Sequence, residues 1–202
     1  MPPNDVLTDL ELLVRSRYGL IHLETEEEDR ANGLLRHLAD RMRLPFFTWT
    51  RSRGLAREDM DPTYDTRQPV KAFNHVALSR IDALYHFMGV ETDVVQGSLA
   101  TSHIRDAARS LEQRRGAVVF TGSFELPAVL EGVAAITELP APGKEEYEDL
   151  LHQIVRDMSQ RGDVEVDLTR DEHDTLLRHL SGLTLLEAEK ILTKALDRKS
   201  VV

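Results

Sequence analysis

Two hydrophobic rhythms alternate along this chain. Leu7, Leu10, Leu13 and Val14 recur at helical spacing behind Asp5, a candidate N-cap, and Gly19 offers a stop. Leu20-Ile21-His22-Leu23 then reads as a short strand. Ala31, Leu34, Leu35, Leu38 and Met42 mark one face of a second helix, closed by Pro45. Phe46 to Thr50 reads as strand two, and Val70 to Ile81 as a helix with Pro69 near its start. Leu84 to Val90 reads as strand three. A helix over Leu99 to Leu111 carries Ile104, Ala107, Ala108 and Leu111 on one face. Ala117 to Thr121 is a near-continuous apolar run, as a central parallel strand requires. Ala134 to Leu139 completes a set of five.

Five short strands alternating with helices predict an α/β fold: a P-loop-NTPase-like five-stranded parallel sheet with helices on both faces. Residues 51–69 break the rhythm. The segment is polar, contains Gly54, Pro62 and Pro69, and is expected to be a long loop. Pro140-Ala141-Pro142-Gly143 marks a domain boundary, giving an α/β domain over 1–140 and a small helical domain over 141–202. In the latter, Tyr147, Leu150, Leu151, Ile154, Val155 and Met158 share a helix face. Thr169 with Glu172, and Thr184 with Glu187, have the spacing of capping boxes. Leu176, Leu177 and Leu180 follow the first box, with Gly182 as a stop. Leu185, Ala188, Ile191, Leu192 and Ala195 follow the second.

Composition narrows the function classes. The 202 residues are 41% apolar, enough for a real core, and carry a formal net charge of −10. That charge argues against nucleic acid or an anionic membrane as a general partner. With no Cys there is no disulfide, thiol catalysis or Cys-based zinc site. Neither a signal core nor a run of about 20 apolar residues is present, so a cytoplasmic protein without membrane attachment is expected.

The junction between the first strand and its helix carries the most information. A strand leading directly into a helix is the frame of a nucleotide-binding domain. In a P-loop protein the junction is rich in Gly and holds a Lys, so that backbone N–H groups and an ammonium cradle phosphates. Here it runs Glu24-Thr25-Glu26-Glu27-Glu28-Asp29-Arg30, with five acids and no Gly. The acids suit the positive end of a helix dipole but repel a triphosphate. Glu24, Thr25, Glu26 and Glu27 therefore mark a degenerate phosphate-loop position.

Three stretches carry a family resemblance. Leu12-Leu13-Val14-Arg15-Ser16-Arg17-Tyr18-Gly19-Leu20-Ile21 resembles an "LLIRARYPLI" opening, followed by the acidic helix start. Phe124 to Glu131 resembles an "LPxELE" turn, and Gly182 to Glu189 a "GLTxxEAE" lid helix. In this order they resemble the N-terminal, degenerate AAA-like module of the AAA+ ATPases named after a hypothetical chloroplast reading frame (ycf). Gly19 departs from the family's Pro, and Met88 to Asp93 departs from its acidic, Phe-containing turn. The resemblance implies a helical AAA lid over 141–202. It also implies a C-terminal AAA+ module of the same polypeptide as partner, carrying the working P-loop with ATP and magnesium, and a homo-oligomer. No cofactor is expected in this chain. Its last helix has no stop signal, so the chain is expected to break off before that second module.

Other candidate chemistry is sparse. The Gly143-Lys144 pair has Glu138 and Glu145 where a P-loop requires Gly and Ser or Thr. Glu91 and Asp93 follow strand three, where a magnesium-binding Asp and a catalytic Glu would project, but they are not adjacent acids. They read as vestigial acids or solvated loop residues. Thr121 ends strand four at the position of a phosphate sensor, or caps the turn. The eight His lack ligand spacing, and His22 and His86 read as strand histidines. Arg51, Arg53 and Arg57 form the densest local run of positive charge, either a solvated face or an interaction patch. Three functions stay open: a non-catalytic module supporting an ATPase, a divergent nucleotide-binding ATPase, and a free-standing interaction domain.

Overall fold

A computed structural model describes residues 3–58, 60–160 and 169–199. The chain divides into two compact units, one over Asn4–Leu139 and one comprising Pro140–Val202 with Met1–Pro3.

In chain order the first unit contains α1 (Pro3–Arg15), β1 (Leu20–Glu24), α2 (Glu28–Met42), β2 (Phe46–Thr50), β3 (Gly54–Arg57), α3 (Pro69–Leu78), β4 (Leu84–Phe87), α4 (Leu99–Glu112), β5 (Ala117–Thr121), the short α5 (Ala128–Glu131) and β6 (Ala134–Glu138). The sheet order is β3-β2-β4-β5-β1-β6. All neighbours are parallel except β3, which pairs antiparallel with β2. The expected five-stranded parallel sheet is therefore a six-stranded mixed one, and the expected 51–69 loop contains its edge strand.

That strand is too short to show a period of its own. It forms because Gly54, at φ +84°, allows a tight return from β2, and because Trp49 donates from its indole to Thr66 O at 2.6 Å. Thr66 Oγ1 accepts from the Leu55 N–H and donates to Thr63 O, tying the following segment to the same edge.

Period-two alternation sends the strand side chains to two cores. Tyr85, Phe87, Val118 and Phe120 pack with Phe73 of α3 and Ile104 of α4. Ile21, Leu23, Leu84 and Val119 pack with Leu10 of α1 and Leu35 and Leu38 of α2. Phe73 stacks on Phe87 with ring centroids 4.3 Å apart and meets Phe120 edge-on. Gly19 lets α4 come close to β1: a Cβ there would lie 2.0 Å from Ala108 O. A Pro at this position, as in the resembling family, would require α4 to sit farther out.

Several boundaries move. Asp5 lies inside α1, which ends at Arg15, and Arg17 at φ +66° reverses the chain before Gly19. Helix α2 starts at Glu28, so Glu28 and Asp29 belong to its first turn. Helix α3 stops at Leu78 and leaves Ile81 exposed; β4 stops at Phe87 ahead of Gly89 at φ +65°.

The second unit holds α6 (Lys144–Gln160), α7 (Arg170–Leu180) and α8 (Leu185–Lys199). Tyr147, Leu151, Ile154, Leu177, Leu180, Ala188 and Leu192 form its core, and the Tyr147 hydroxyl donates to Leu183 O at 2.6 Å. Thr169 and Glu172 make the anticipated capping box. Thr184 Oγ1 accepts from the Glu187 N–H while Glu187 Oε2 accepts from the Thr184 N–H. Ile191, grouped with the apolar face in the sequence, is half exposed. The expected face residue Met158 has a side chain outside the described residues.

Candidate functional site

In an open parallel sheet, ligands bind outside the carboxyl ends of the strands. Here that edge holds the β1–α2 junction, the segment after β4 and the end of β5. Alternation along β4 and β5 turns His86 and Thr121 to the face covered by α2, alongside Leu84 and Val119. Both are fully buried.

These residues form one chain of hydrogen bonds. His86 Nδ1 lies 2.9 Å from Asn32 Oδ1 on α2, and Nε2 lies 3.0 Å from Thr121 Oγ1. The Thr121 hydroxyl donates to Glu28 Oε1 at 3.1 Å, and the Gly89 N–H donates to the same oxygen at 3.2 Å. Burial lowers the His86 pKa to about 4, so the imidazole is neutral. With the Thr121 proton committed to Glu28, Nε2 carries the ring proton and donates to Thr121 Oγ1. Nδ1 is then an acceptor, which requires the Asn32 amide to be flipped so that its NH₂, in place of Oδ1, meets the ring.

The remaining junction residues are also engaged or solvated. Glu24 ends β1 and is exposed, while its carbonyl accepts from the Leu139 N–H. Thr25 is buried and its hydroxyl accepts from the Glu27 N–H at 3.0 Å. Glu26 is exposed. Glu27 pairs with Arg30 at 2.9 Å. The acids of the first helical turn thus face the positive end of the α2 dipole, and Glu28 supplies an internal anion to the donors of β5 and the β4 loop.

Of the two acids after β4, Glu91 is exposed, and Asp93 is paired with Arg51, which also reaches Thr92 Oγ1 at 3.4 Å. The sequence cluster Arg51, Arg53 and Arg57 comes apart in the fold. Arg51 and Arg53 sit on the β2–β3 turn, where Arg53 donates to Met60 O at 3.2 Å. Arg57 is at the far end of β3, opposite Phe47 near the start of β2. An antiparallel hairpin separates residues that are close in sequence.

His22 lies on the other face of the sheet. Its Nε2 is 2.9 Å from Gly122 O, its ring is 4.5 Å from that of Phe124, and burial lowers its pKa. Sequence reading left Glu28, Asn32, His86 and Gly89 outside the site. The available signal is two polar residues in apolar strands, Thr121 at the end of β5 and His86 one residue before the end of β4. Which helix they meet depends on strand order.

A six-stranded α/β sheet with its junctions at this edge, followed by a three-helix unit, is the architecture of an AAA+ module. Residues 6–139 match the N-terminal domain of the SpoVK-like AAA ATPases, and residues 145–201 match their second domain; the chain belongs to this family. It is similar to uncharacterized AAA domain-containing ycf46 proteins. That of Pyropia yezoensis is 21% identical over 189 residues, covering 92% of this chain and 37% of the relative. That of Trieres chinensis is 22% identical over 192 residues, with the same shares. The chain thus spans a little over a third of the length of these curated relatives. Among solved structures, a chain from work on katanin self-assembly superposes with a TM-score of 0.64 at 15% identity, over 96% of this chain and 68% of that one. PCH-2 of C. elegans superposes with a TM-score of 0.60 at 12% identity, over 98% and 69%. No helix among the described residues is long and apolar enough to cross a membrane.

Proposed function

We propose that this chain is a non-catalytic AAA-like module that supports or regulates an ATP-hydrolysing AAA+ module of the intact protein, through packing and interface contact. The three-helix unit takes the place of the AAA lid. ATP and magnesium belong to the partner module, and the whole works as a homo-oligomer in the cytoplasm. The katanin self-assembly structure among the neighbours supports the oligomeric part of this reading.

The observation that carries the reading is the Glu28 carboxylate. It takes the Gly89 N–H and the Thr121 hydroxyl, two donors at the strand ends where phosphate oxygens would be met. Magnesium–ATP matches this junction poorly. A phosphate there would displace an internal anion and sit beside Glu26 and Glu27, with no Lys in the junction to offset its charge. Asp93, a candidate for holding the metal, is committed to Arg51.

Amide NMR of the chain titrated with magnesium–ATP and magnesium–ADP tests this. The expected result is no shift of the Gly89 and Thr121 amides at millimolar nucleotide. Shifts at both with a micromolar midpoint would overturn it.

A further inference from the structure

In a parallel sheet the helix-to-strand loops gather at the edge opposite the one described above. Three of them, α1–β1, α2–β2 and α4–β5, bring Arg15, Arg17, Arg41, Arg43, Arg114 and Arg115 to the lining of one pocket of about 450 Å³. This is a concentrated positive site on a protein of net charge −10.

Part of that charge is uncompensated. Glu11 pairs with Arg15 at 2.6 Å and with Arg41 at 2.9 Å. Among the described residues no acid forms an ion pair with the guanidinium groups of the other four, although Asp82 Oδ1 accepts from the Arg115 backbone N–H at 3.3 Å. Arg17 donates to Glu112 O and Arg115 to Met42 O, while all three nitrogens of Arg114 are engaged, by Ser110 O, Ser110 Oγ, Val76 O and Ile81 O. These neutral oxygens orient the guanidinium groups without cancelling their charge. Cations do favour helix C-termini, and three end here. Each offers about half a negative charge, so with Glu11 and Asp82 they still leave roughly two of the six positive charges unmatched. Arg17 and Arg43 also hold left-handed backbone positions, φ +66° and +55°, where Gly ordinarily stands at a helix end.

We propose that this pocket binds a small, multiply charged phosphate-bearing anion, an oligophosphate or the phosphate tail of a soluble metabolite. Guanidinium groups are suited to phosphate because their planar forks bond two oxygens at once. The positive charge is confined to one walled pocket, while the acidic remainder of the surface opposes an extended polyanion. That favours a compact ligand over nucleic acid or a bilayer.

The test uses the full chain, amide NMR and sodium tripolyphosphate without magnesium. The Arg17 and Arg43 amides are expected to shift with a midpoint below about 1 mM. The double change Arg17→Gln/Arg43→Gln, at two exposed positions, is expected to raise that midpoint by about tenfold or more. Arg51→Gln/Arg53→Gln, at the opposite edge, leaves it unchanged, and Arg17→Lys/Arg43→Lys restores part of the affinity. No shift at about 10 mM, or equal weakening by the control pair, would overturn the proposal. So would tighter binding of a single-stranded oligonucleotide or of phosphatidylcholine–phosphatidylglycerol vesicles than of tripolyphosphate. The Gly89 and Thr121 amides report the other edge separately, so nucleotide binding there would not be mistaken for this site.

Discussion

The Thr121 hydroxyl donates to Glu28 Oε1 across 93 residues of sequence, joining the end of β5 to the first turn of α2. The bond places a carboxylate at the carboxyl edge of the sheet and fixes the proton arrangement of the buried His86 behind it.

Replacing Thr121 by Val keeps the shape and removes the bridge. His86 loses its Nε2 partner in a fully buried site, and a destabilisation of about 1–3 kcal/mol is expected. Glu28→Ala should cost less, about 1 kcal/mol, because Glu28 is only half buried and water can serve Thr121 in its place. Urea unfolding followed by Trp49 fluorescence measures both; a Thr121→Val midpoint equal to that of the unaltered chain would contradict the network.

His86 makes stability depend on pH. Its pKa is 6.5 when unfolded and about 4 when folded, so the unfolded chain binds the extra proton between those values. The stabilisation is complete above pH 6.5 and is lost as pH falls toward 4, by about 3 kcal/mol in all. Burial acts on His22 in the same direction. Melting from pH 7 to 4.5 should show a shallower decline in a His86→Gln variant than in the unaltered chain. Parallel curves would exclude a buried neutral His86.

Two glycines should respond oppositely to Ala. At Gly19 the new Cβ would lie 2.0 Å from Ala108 O, and both groups are held by backbone, so a loss of about 3 kcal/mol is expected. At Gly33, inside α2, a Cβ meets nothing within 4 Å, and the gain in helix propensity is about 0.5–1 kcal/mol. Chemical denaturation of the two variants checks the close approach of α4 to β1.

Within the helical unit, Leu192 is 2% exposed and its neighbour Ile191 is 50% exposed. Leu192→Asp buries a charge among Tyr147, Leu177 and Ala188 and should cost several kcal/mol. Ile191→Asp should stay within about 0.5 kcal/mol. A far-UV circular dichroism melt distinguishes them, and equal shifts would contradict the placement of α8.

What the sequence determined by itself is local. The alternation of apolar runs identified five of the six strands and the longer helices in order, because a two-residue or 3.6-residue period is written within a few turns of chain. The Thr169–Glu172 and Thr184–Glu187 pairs were legible because a capping box closes within four residues. The acidic, Gly-free β1–α2 junction was equally plain. What only the tertiary structure decided lies between distant segments. Strand β3 depends on a hairpin return and on Thr66, not on a period of its own. Arg51, Arg53 and Arg57 are neighbours in sequence and are parted by that same hairpin. The chain from Asn32 through His86 and Thr121 to Glu28, and the pocket built from three arginine pairs, exist because the parallel core of the order β3-β2-β4-β5-β1-β6 gathers strand ends at one edge and strand starts at the other. Residues tens of positions apart become partners there, and no local pattern encodes which ones meet.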